Sequence, residues 1–403
     1  MAESFKDKVA IVGMGCSRFG ERWDASSSDL VVEASYDAFE DAGVEIKDID
    51  AGWIGTIAGA SRSMTSSPIT GIGLSGPLKL HYKPVTRVEN GCATGTDTLR
   101  NAAFAVAAKV YDLVLVVGVE KLKDAGFGGL GAVPIPLNPV YEIGFTAPGQ
   151  YALAATRYFR RYGLTPEEGK RTIAKISIKS HHNGARNPRA HLRKEITMEQ
   201  VMNAPIVCWP LGLFDCCGVT DGAAAAIICP AENARRYRDD YVLIKGLGLS
   251  IGPGQGNIRT DYDYTHWEET EWASREAYAM AGIKNPRKEL DQVEVHDCFS
   301  ISELIAVESL GLCEKGHAKE DIDAGVWEQE GEIPVNLSGG LKSFGHPIGA
   351  SGCREAYEVY KQLQGKAEDS SRQLKNPRIG LVHNQAGLPG KFMCAVGIYG
   401  LPE

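Results

Sequence analysis

The amino-acid sequence predicts an α/β protein made of two similar βαβαβ halves, with a mostly helical segment inserted between them. Apolar runs of strand length, such as residues 113–119 and 223–229, alternate with amphipathic helix patterns. A strand, a turn and a helix follow one another around Cys92, and the same order recurs around His346. We therefore predict three parts, with these boundaries: an N-terminal half (1–120 plus 221–235), an inserted domain (121–220) and a C-terminal half (236–403).

Composition excludes several classes of function. The chain has 403 residues, a net charge of −8 and no block of basic residues, so binding to nucleic acid or to an anionic membrane is disfavoured. Its longest apolar runs are far shorter than a membrane span, and the first residues lack the pattern of a secretory signal. The ten cysteines show no CxxC spacing, which predicts reduced thiols, no zinc site and a cytoplasmic location.

The N-terminal half begins with a βα pattern. Residues 8–14 read as a buried strand, and residues 29–42 read as a helix that Gly43 ends. Gly13-x-Gly15-x-x-Arg18 lacks the third glycine of a dinucleotide fingerprint, which disfavours a nucleotide cofactor there. Residues 49–57 read as a further strand, and residues 84–119 then predict a complete βαβ unit with Cys92 at its first turn.

The inserted domain has helix signals and an excess of positive charge. Helices are predicted over 148–162, from the Thr165 cap with Pro166 in the first position, and after Thr197. The basic residues are typical of a solvated face, or alternatively of a surface that receives an anionic ligand.

The C-terminal half repeats the pattern of the first. Its predicted elements are a strand at 241–251, a helix at 268–281, a strand at 292–298, a helix from a Ser300-x-x-Glu303 capping box to Leu310, a turn at 345–352 followed by a helix, and strands at 379–384 and 391–400. If both halves present their turns at one end of a largely parallel sheet, these turns meet at one cleft.

Three short stretches carry the residues suited to catalysis. They are NGCATG at 90–95, EVHDCFS at 294–300 and GHPIGASG at 345–352. Cys92 stands between glycines at a helix start, where unpaired backbone N–H groups favour a thiolate and lower the cysteine pKa. The alternative interpretation is that Cys92 is an ordinary buried cysteine.

The motif His296-Asp297-Cys298-Phe299 resembles that of the sterol carrier protein-type thiolases, and the resemblance covers nearly the whole chain. It implies the five-layer αβαβα thiolase fold. It also implies that Cys92 takes the acyl group, that His346 deprotonates it, that His296 donates to the thioester oxygen and that Cys298 is the second acid/base.

The last strand departs from the pattern of other thiolases. Where these have a Cys-x-Gly motif, this chain has His383-Asn384-Gln385-Ala386-Gly387, so the acid/base role is expected at Cys298, with Cys394 in a packing role. Asn384 and Gly349 are expected to bind substrate.

The resemblance implies a thiolase that cleaves a 3-oxoacyl-CoA with CoA, or runs the reverse Claisen condensation, through an acyl-cysteine. An acetyl-CoA C-acetyltransferase of a multi-subunit condensing complex, a decarboxylating ketosynthase and a non-catalytic thiolase-like scaffold are the alternatives. The expected co-substrate is CoA, with no tightly bound cofactor and no metal.

Partners are also implied by the resemblance. A homodimer is expected. The sequence around residues 126–134 is similar to that of thiolases that work with a small zinc-ribbon/OB-fold subunit, including one that acts on benzoylsuccinyl-CoA in anaerobic toluene breakdown. The inserted domain is expected to bind CoA through basic residues, among them Arg160, Arg161 and Lys170.

Overall fold

The computed structural model describes residues 5–57, 71–123, 146–259 and 261–402, so the stretch 126–134 lies outside the described residues. Eleven strands lie in the described part of the chain: β1 Val9–Cys16, β2 Ala51–Gly55, β3 Val85–Val88, β4 Val114–Glu120, β5 Ile206–Cys208, β6 Leu211–Gly212, β7 Gly222–Pro230, β8 Val242–Ile251, β9 Gln292–Val295, β10 Ile379–Leu388 and β11 Lys391–Gly400.

The α-helices of the same ranges are α1 Ser27–Ala42, α2 Ile72–Leu78, α3 Thr94–Ala107, α4 Ala147–Arg161, α5 Pro166–Ala185, α6 Met198–Met202, α7 Gln255–Ile258, α8 Glu268–Ala281, α9 Pro286–Glu289, α10 Ser300–Ser309, α11 Ala318–Asp323, α12 Gly340–Ser343 and α13 Ser351–Leu363. None of these helices is long and apolar enough to cross a membrane.

Nine of the described strands form one sheet in the order β3-β2-β4-β7-β1-β8-β11-β10-β9. The pairs β2–β3, β2–β4 and β9–β10 are parallel, and the other five neighbouring pairs are antiparallel. The expectation of a largely parallel sheet is therefore wrong. Buried apolar runs such as β7 fit parallel and antiparallel strands equally well when both faces are covered.

The predicted repeat is present in the topology. In the first half β2 is parallel to β4, and β4, β7 and β1 follow as antiparallel neighbours. In the second half β9, β10, β11 and β8 have the same order and the same directions. Val335 pairs in parallel with Val293 of β9, as β3 does with β2, so the chain before His346 matches the strand before Cys92.

Five layers follow from this repeat. Helices α1 and α2 cover the outer face of the first half-sheet, and α8 and α10 cover the outer face of the second. Helices α3 and α13 contact one another and fill the space between the two half-sheets. The two half-sheets join through a short antiparallel pairing of β1 with β8.

The two central helices cross at their first turns because glycines let them approach. A Cβ on Gly95 would lie 2.7 Å from the backbone nitrogen of Gly352, and a Cβ on Gly352 would lie 2.3 Å from that of Thr96. No side chain fits at such a contact. The turns that precede α3 and α13 are consequently held next to each other, at one end of both helices.

The predicted capping box of α10 is wrong. Phe299 is the N-cap residue and no side chain caps this end. The Ser300 hydroxyl donates instead to Asp215 (3.0 Å), and the Glu303 carboxylate accepts from Asn336 (2.8 Å). Both side chains are buried, so partners from distant parts of the chain replace the local cap.

Candidate active site

Cys92 lies in the turn between β3 and α3, two residues before the first residue of the helix. Gly91 has a positive φ of 53°, and a Cβ there would lie 2.8 Å from the Cβ of Ala386. The Asn90 side chain donates to Asp97 (2.6 Å), and the Asn90 N–H donates to Thr94 (2.9 Å). These bonds fix the turn so that a half-buried thiol stands at its tip.

The expected lowering of the Cys92 pKa is wrong. Burial raises the pKa of this thiol, and nearby Cys298 and Glu120 raise it further, because either group repels a thiolate when it is ionised. Desolvation outweighs the favourable field of the helix start. Cys92 is consequently a neutral thiol at rest, and a base must take its proton when it reacts.

His346 lies in the turn that precedes α13 and is almost completely buried. Burial, followed by the charge of Arg354, lowers its pKa to about 3, so its imidazole is neutral at ordinary pH. A neutral imidazole has one nitrogen free to accept a proton, as the neutral Cys92 thiol requires.

The hydrogen bonds of His346 indicate which nitrogen is free. Its Nδ1 lies 2.7 Å from the Ser351 hydroxyl, and that hydroxyl donates to the Pro347 carbonyl (3.2 Å). Because the hydroxyl proton is used there, Ser351 accepts from Nδ1–H, and Nε2 carries the lone pair. Nε2 is buried without a hydrogen-bond partner among the described residues. Ser351, which the sequence analysis did not single out, thus orients the ring.

His296 and Cys298 lie in the turn between β9 and α10. The residue between them, Asp297, pairs with Lys342 (2.8 Å), and both side chains are fully buried. Lys342 is part of α12, four residues before His346. The pair therefore ties the turn of His296 to the turn of His346.

Three of the predicted site residues come together. The Cys92 sulfur and one ring nitrogen each of His296 and His346 all lie within 4.8 Å of one another. The two imidazole rings stand nearly perpendicular, with centroids 5.0 Å apart. Burial, and then the neighbouring His346, lowers the pKa of His296 well below its usual value, so both rings are neutral.

Cys298 is the fourth predicted residue and lies beside this group. Burial raises its pKa to about 12, while hydrogen bonds from Tyr151 and Ser302 partly oppose that rise. Gln385 donates to both hydroxyls, at 3.3 Å to Tyr151 and 3.1 Å to Ser302. This buried polar cluster around the thiol was missed in the sequence, because its members come from α4, α10 and β10.

Asn384 is placed between the two central helices. Its side-chain oxygen accepts from Thr96 (2.6 Å) and its amide donates to Glu355 (2.6 Å), and the residue is fully buried. These contacts make Asn384 a link between α3, α13 and β10. Its expected contact with substrate stays a prediction.

Gly349 is packed against backbone. A Cβ there would lie 2.7 Å from the Gly55 carbonyl oxygen, and its N–H donates to Glu120 (3.0 Å). Glu120 also accepts from Thr56 (2.9 Å) and the Ile57 N–H (2.9 Å). Gly349 as a substrate-binding residue stays a prediction too. Glu120 could have been noticed as an acidic residue directly after the apolar run 113–119.

The predicted basic surface of the inserted domain is wrong for Lys170. This lysine is buried and forms an ion pair with buried Asp215. Arg161 is half exposed and pairs with Asp263 (2.8 Å), and no ion pair of Arg160 is seen among the described residues. Lys170 lies where a CoA phosphate has no access, because its charge is already compensated inside the protein.

A cavity of about 180 Å³ opens beside His346. The described residues that line it come from the inserted domain and from the two turns of the C-terminal half: Leu122, Pro148, Val207, Cys216, Cys217, Gly218, Val219, Phe299, His346 and Ile348. None of them is a lysine, an arginine or a carboxylate. The cavity therefore suits an uncharged group of small size.

The site places one thiol and two neutral imidazoles together, with a second thiol beside them. The family signatures "Thiolase, N-terminal domain" and "Thiolase C-terminal domain-like" match residues 9–232 and 254–396. The chain belongs to the thiolase family and is an acyltransferase.

Relatives over nearly the whole chain agree with this assignment. An acetyl-CoA acetyltransferase of Methanothermobacter thermautotrophicus is 40% identical, over 95% of this chain and 97% of its own length. Sterol carrier protein 2 of Gallus gallus is 30% identical, over 98% of this chain and 72% of its own length. The benzoylsuccinyl-CoA thiolase subunit BbsB of Thauera aromatica is 29% identical, over 94% and 95%.

A solved structure has the same fold. The chain matches one titled "Ltp2-ChsH2(DUF35) aldolase" with a TM-score of 0.82 and 24% identity, over 99% of both chains. At this identity the match supports the thiolase fold and nothing finer.

Proposed function

We propose that this thiolase exchanges a small acyl group between a 3-oxoacyl-CoA and CoA through an acyl-Cys92 intermediate. The observation that carries the proposal is the meeting of Cys92, His296 and His346 within 4.8 Å, with Cys298 alongside. These four groups come from three turns far apart in the chain.

In the cleavage direction, Nε2 of His346 takes the proton of Cys92 as the sulfur attacks the 3-oxo carbon. The bond between the alpha carbon and the 3-oxo carbon breaks, and its electron pair forms the enolate of acetyl-CoA. His296 donates a hydrogen bond to the enolate oxygen, and Cys298 gives its proton to the alpha carbon. The thiol of CoA then gives its proton to the Cys298 thiolate and attacks the carbonyl carbon of the acyl group. The bond from that carbon to Cys92 breaks, the Cys92 sulfur takes its proton back from His346, and the shortened acyl-CoA is released.

The substrate is inferred to be acetoacetyl-CoA or another small 3-oxoacyl-CoA, in either direction. Identity to an acetyl-CoA acetyltransferase (40%) exceeds identity to the benzoylsuccinyl-CoA thiolase subunit (29%). The described lining of the cavity supports this choice, because benzoylsuccinyl-CoA has a free carboxylate and no cation is present there. Benzoylsuccinyl-CoA is the second candidate substrate.

For assembly we propose a homodimer that uses CoA without a tightly bound cofactor and works with a small zinc-ribbon/OB-fold subunit. The second subunit is supported by the solved structure of the same fold, whose title names a DUF35 component. The homodimer is supported by the fact that symmetric dimers are the commonest oligomers. We place the reaction in the cytoplasm, since all ten cysteines are free thiols.

The test is thiolysis of acetoacetyl-CoA by the purified chain with CoA, measured as the loss of enolate absorbance. Cys92→Ser should lower turnover by roughly a thousandfold or more, because the hydroxyl is a much weaker nucleophile. Cys313→Ser is the matched control, since Cys313 lies near Arg287 and Glu308, away from the site. An acyl label trapped on another cysteine would contradict the mechanism, and activity with benzoylsuccinyl-CoA alone would favour the second candidate.

A chain that is inactive on both substrates, alone and with a zinc-ribbon subunit, would favour the scaffold. Turnover of a malonyl thioester with release of CO2 would favour a ketosynthase. A ketosynthase works with one cysteine and two histidines, so the additional thiol of Cys298 argues against that reaction.

A further inference from the structure

The three side chains that meet at the site are all ligands for soft or borderline metal ions. Cys92 offers a sulfur, and His296 and His346 each offer a ring nitrogen, all within 4.8 Å of one another. No zinc site is predicted from the sequence, because the ten cysteines show no CxxC spacing. The fold assembles the set from three separate turns.

The nitrogens of the two histidines are available. Nε2 of His346 and Nδ1 of His296 are buried and have no hydrogen-bond partner among the described residues. A buried polar atom without a partner is costly, so a cation that takes the Nε2 lone pair of His346 is favoured there. Nδ1 of His346 is bonded to Ser351, which is the outer-shell arrangement that orients histidines in metal sites.

We propose that Cys92, His296 and His346 bind one zinc-like divalent cation, and that this cation inhibits the enzyme. The cation replaces the thiol proton, so that Cys92–SH and M²⁺ give Cys92–S–M⁺ and a released proton, with no change in oxidation state. Three protein ligands leave the fourth tetrahedral position for water or for a thiol.

The geometry requires only a small contraction. Metal–ligand distances of about 2.0 to 2.3 Å place tetrahedral donor atoms roughly 3.3 to 3.8 Å apart. The three donor atoms lie within 4.8 Å of one another, so side-chain rotations that move each donor atom by about 1 Å bring them to these distances. No carboxylate is part of the set, so Mg²⁺ and Ca²⁺ lack the oxygen ligands that they prefer.

Inhibition follows from the atoms that are used. The cation would occupy the sulfur that attacks the substrate and the Nε2 lone pair that takes the proton. Binding therefore competes with acylation of Cys92 and leaves the fold intact. Metal binding does not depend on which acyl-CoA is the substrate.

The experiment uses the full chain after treatment with a chelator. Cd²⁺, which forms a near-ultraviolet charge-transfer band with thiolates, should give this band with a stoichiometry of one per chain. Cys92→Ala should abolish the band, whereas Cys298→Ala should retain it, since Cys298 is outside the set. Mg²⁺ at the same concentration should bind at this site in none of the three proteins.

A second measurement uses the unmodified protein. Zn²⁺ should slow the alkylation of Cys92 by iodoacetamide by roughly tenfold or more, as read from peptide masses, and a chelator should restore the rate. A band that persists in Cys92→Ala, or an alkylation rate that saturating Zn²⁺ leaves unchanged, would overturn the proposal. A lack of thiolysis activity would affect the proposed function and would leave this test unchanged.

Discussion

The turn of Cys92 and the turn of His346 occupy equivalent places in the two halves, yet they are built differently. The first is held by bonds of Asn90 to Asp97 and Thr94, and its cysteine is half buried. The second is buried throughout residues 340–350 and is tied down by the ion pair of Lys342 with Asp297.

The difference suits the two tasks that the proposed mechanism assigns to these turns. A nucleophile must be reached by a substrate, so its turn stays near the surface. A base must be neutral to accept a proton, and burial keeps the His346 imidazole neutral. One supersecondary unit, used twice, thus presents a half-buried thiol in one half and a buried neutral imidazole in the other.

The largest expected effect comes from the ion pair under the His346 turn. Asp297→Asn removes the ion-pair partner of buried Lys342 and should lower the free energy of unfolding by about 3–5 kcal/mol. Asn90→Ala in the other turn should cost only about 1 kcal/mol, because it removes hydrogen bonds near the surface. Urea unfolding at neutral pH measures both, and equal losses would contradict the comparison.

The division of tasks between the histidines can be tested on Cys92 alone. His346→Ala should slow alkylation of Cys92 by iodoacetamide by about a hundredfold or more, since the neutral thiol loses its proton acceptor. His296→Ala should leave alkylation largely unchanged while suppressing turnover. If both variants lose alkylation equally, the assignment of His346 as the base is wrong.

A Cβ added to either α3 or α13 at the point where the two helices cross should lower the stability of the protein. Gly95→Ala and Gly352→Ala each place a Cβ under 3 Å from backbone and should destabilise by about 1–3 kcal/mol. Gly76→Ala in α2 is the control, because its nearest neighbour is a side-chain atom at 3.8 Å. Thermal unfolding of the three variants measures this, and a Gly76→Ala loss as large as the other two would refute the contact as its cause.

The last expected effect is a change in how stability depends on acid. The folded-state pKa of His346 is about 3, below the ordinary value of 6.5, so the unfolded chain binds the proton first. This imidazole therefore adds its full stability above pH 6.5 and loses it as pH falls from 6.5 toward 3. His346→Gln should reduce the slope of stability against pH in that window by about 1.4 kcal/mol per unit.

Cys92→Ser is the matched comparison for acid, because the Cys92 pKa lies above this window and the serine does not titrate there. Urea midpoints measured between pH 4 and 7, with buffers kept at one ionic strength, separate the two variants. An unchanged slope in His346→Gln would show that the ring is not held neutral by the fold.

The local pattern of the sequence determined the elements themselves. The Thr165 cap and Pro166 placed the start of α5, and the helix predicted after the turn at 345–352 is α13, as the structure has them. The same order of strand, turn and helix around Cys92 and His346 predicted the repeat that the sheet topology contains. Such signals depend on neighbours within a few residues, which the sequence lists in order.

Only the tertiary structure decided partners, strand direction and charge state. Whether Lys170 meets solvent or Asp215, whether Ser300 caps a helix or bonds Asp215, and whether the Cys92 thiol is favoured as thiolate or neutral all depend on distant segments. The physical reason is that burial and the choice of hydrogen-bond partner are set by which parts of the chain surround a group. Local sequence specifies the helix or strand, and the packed neighbours set the desolvation that determines its chemistry.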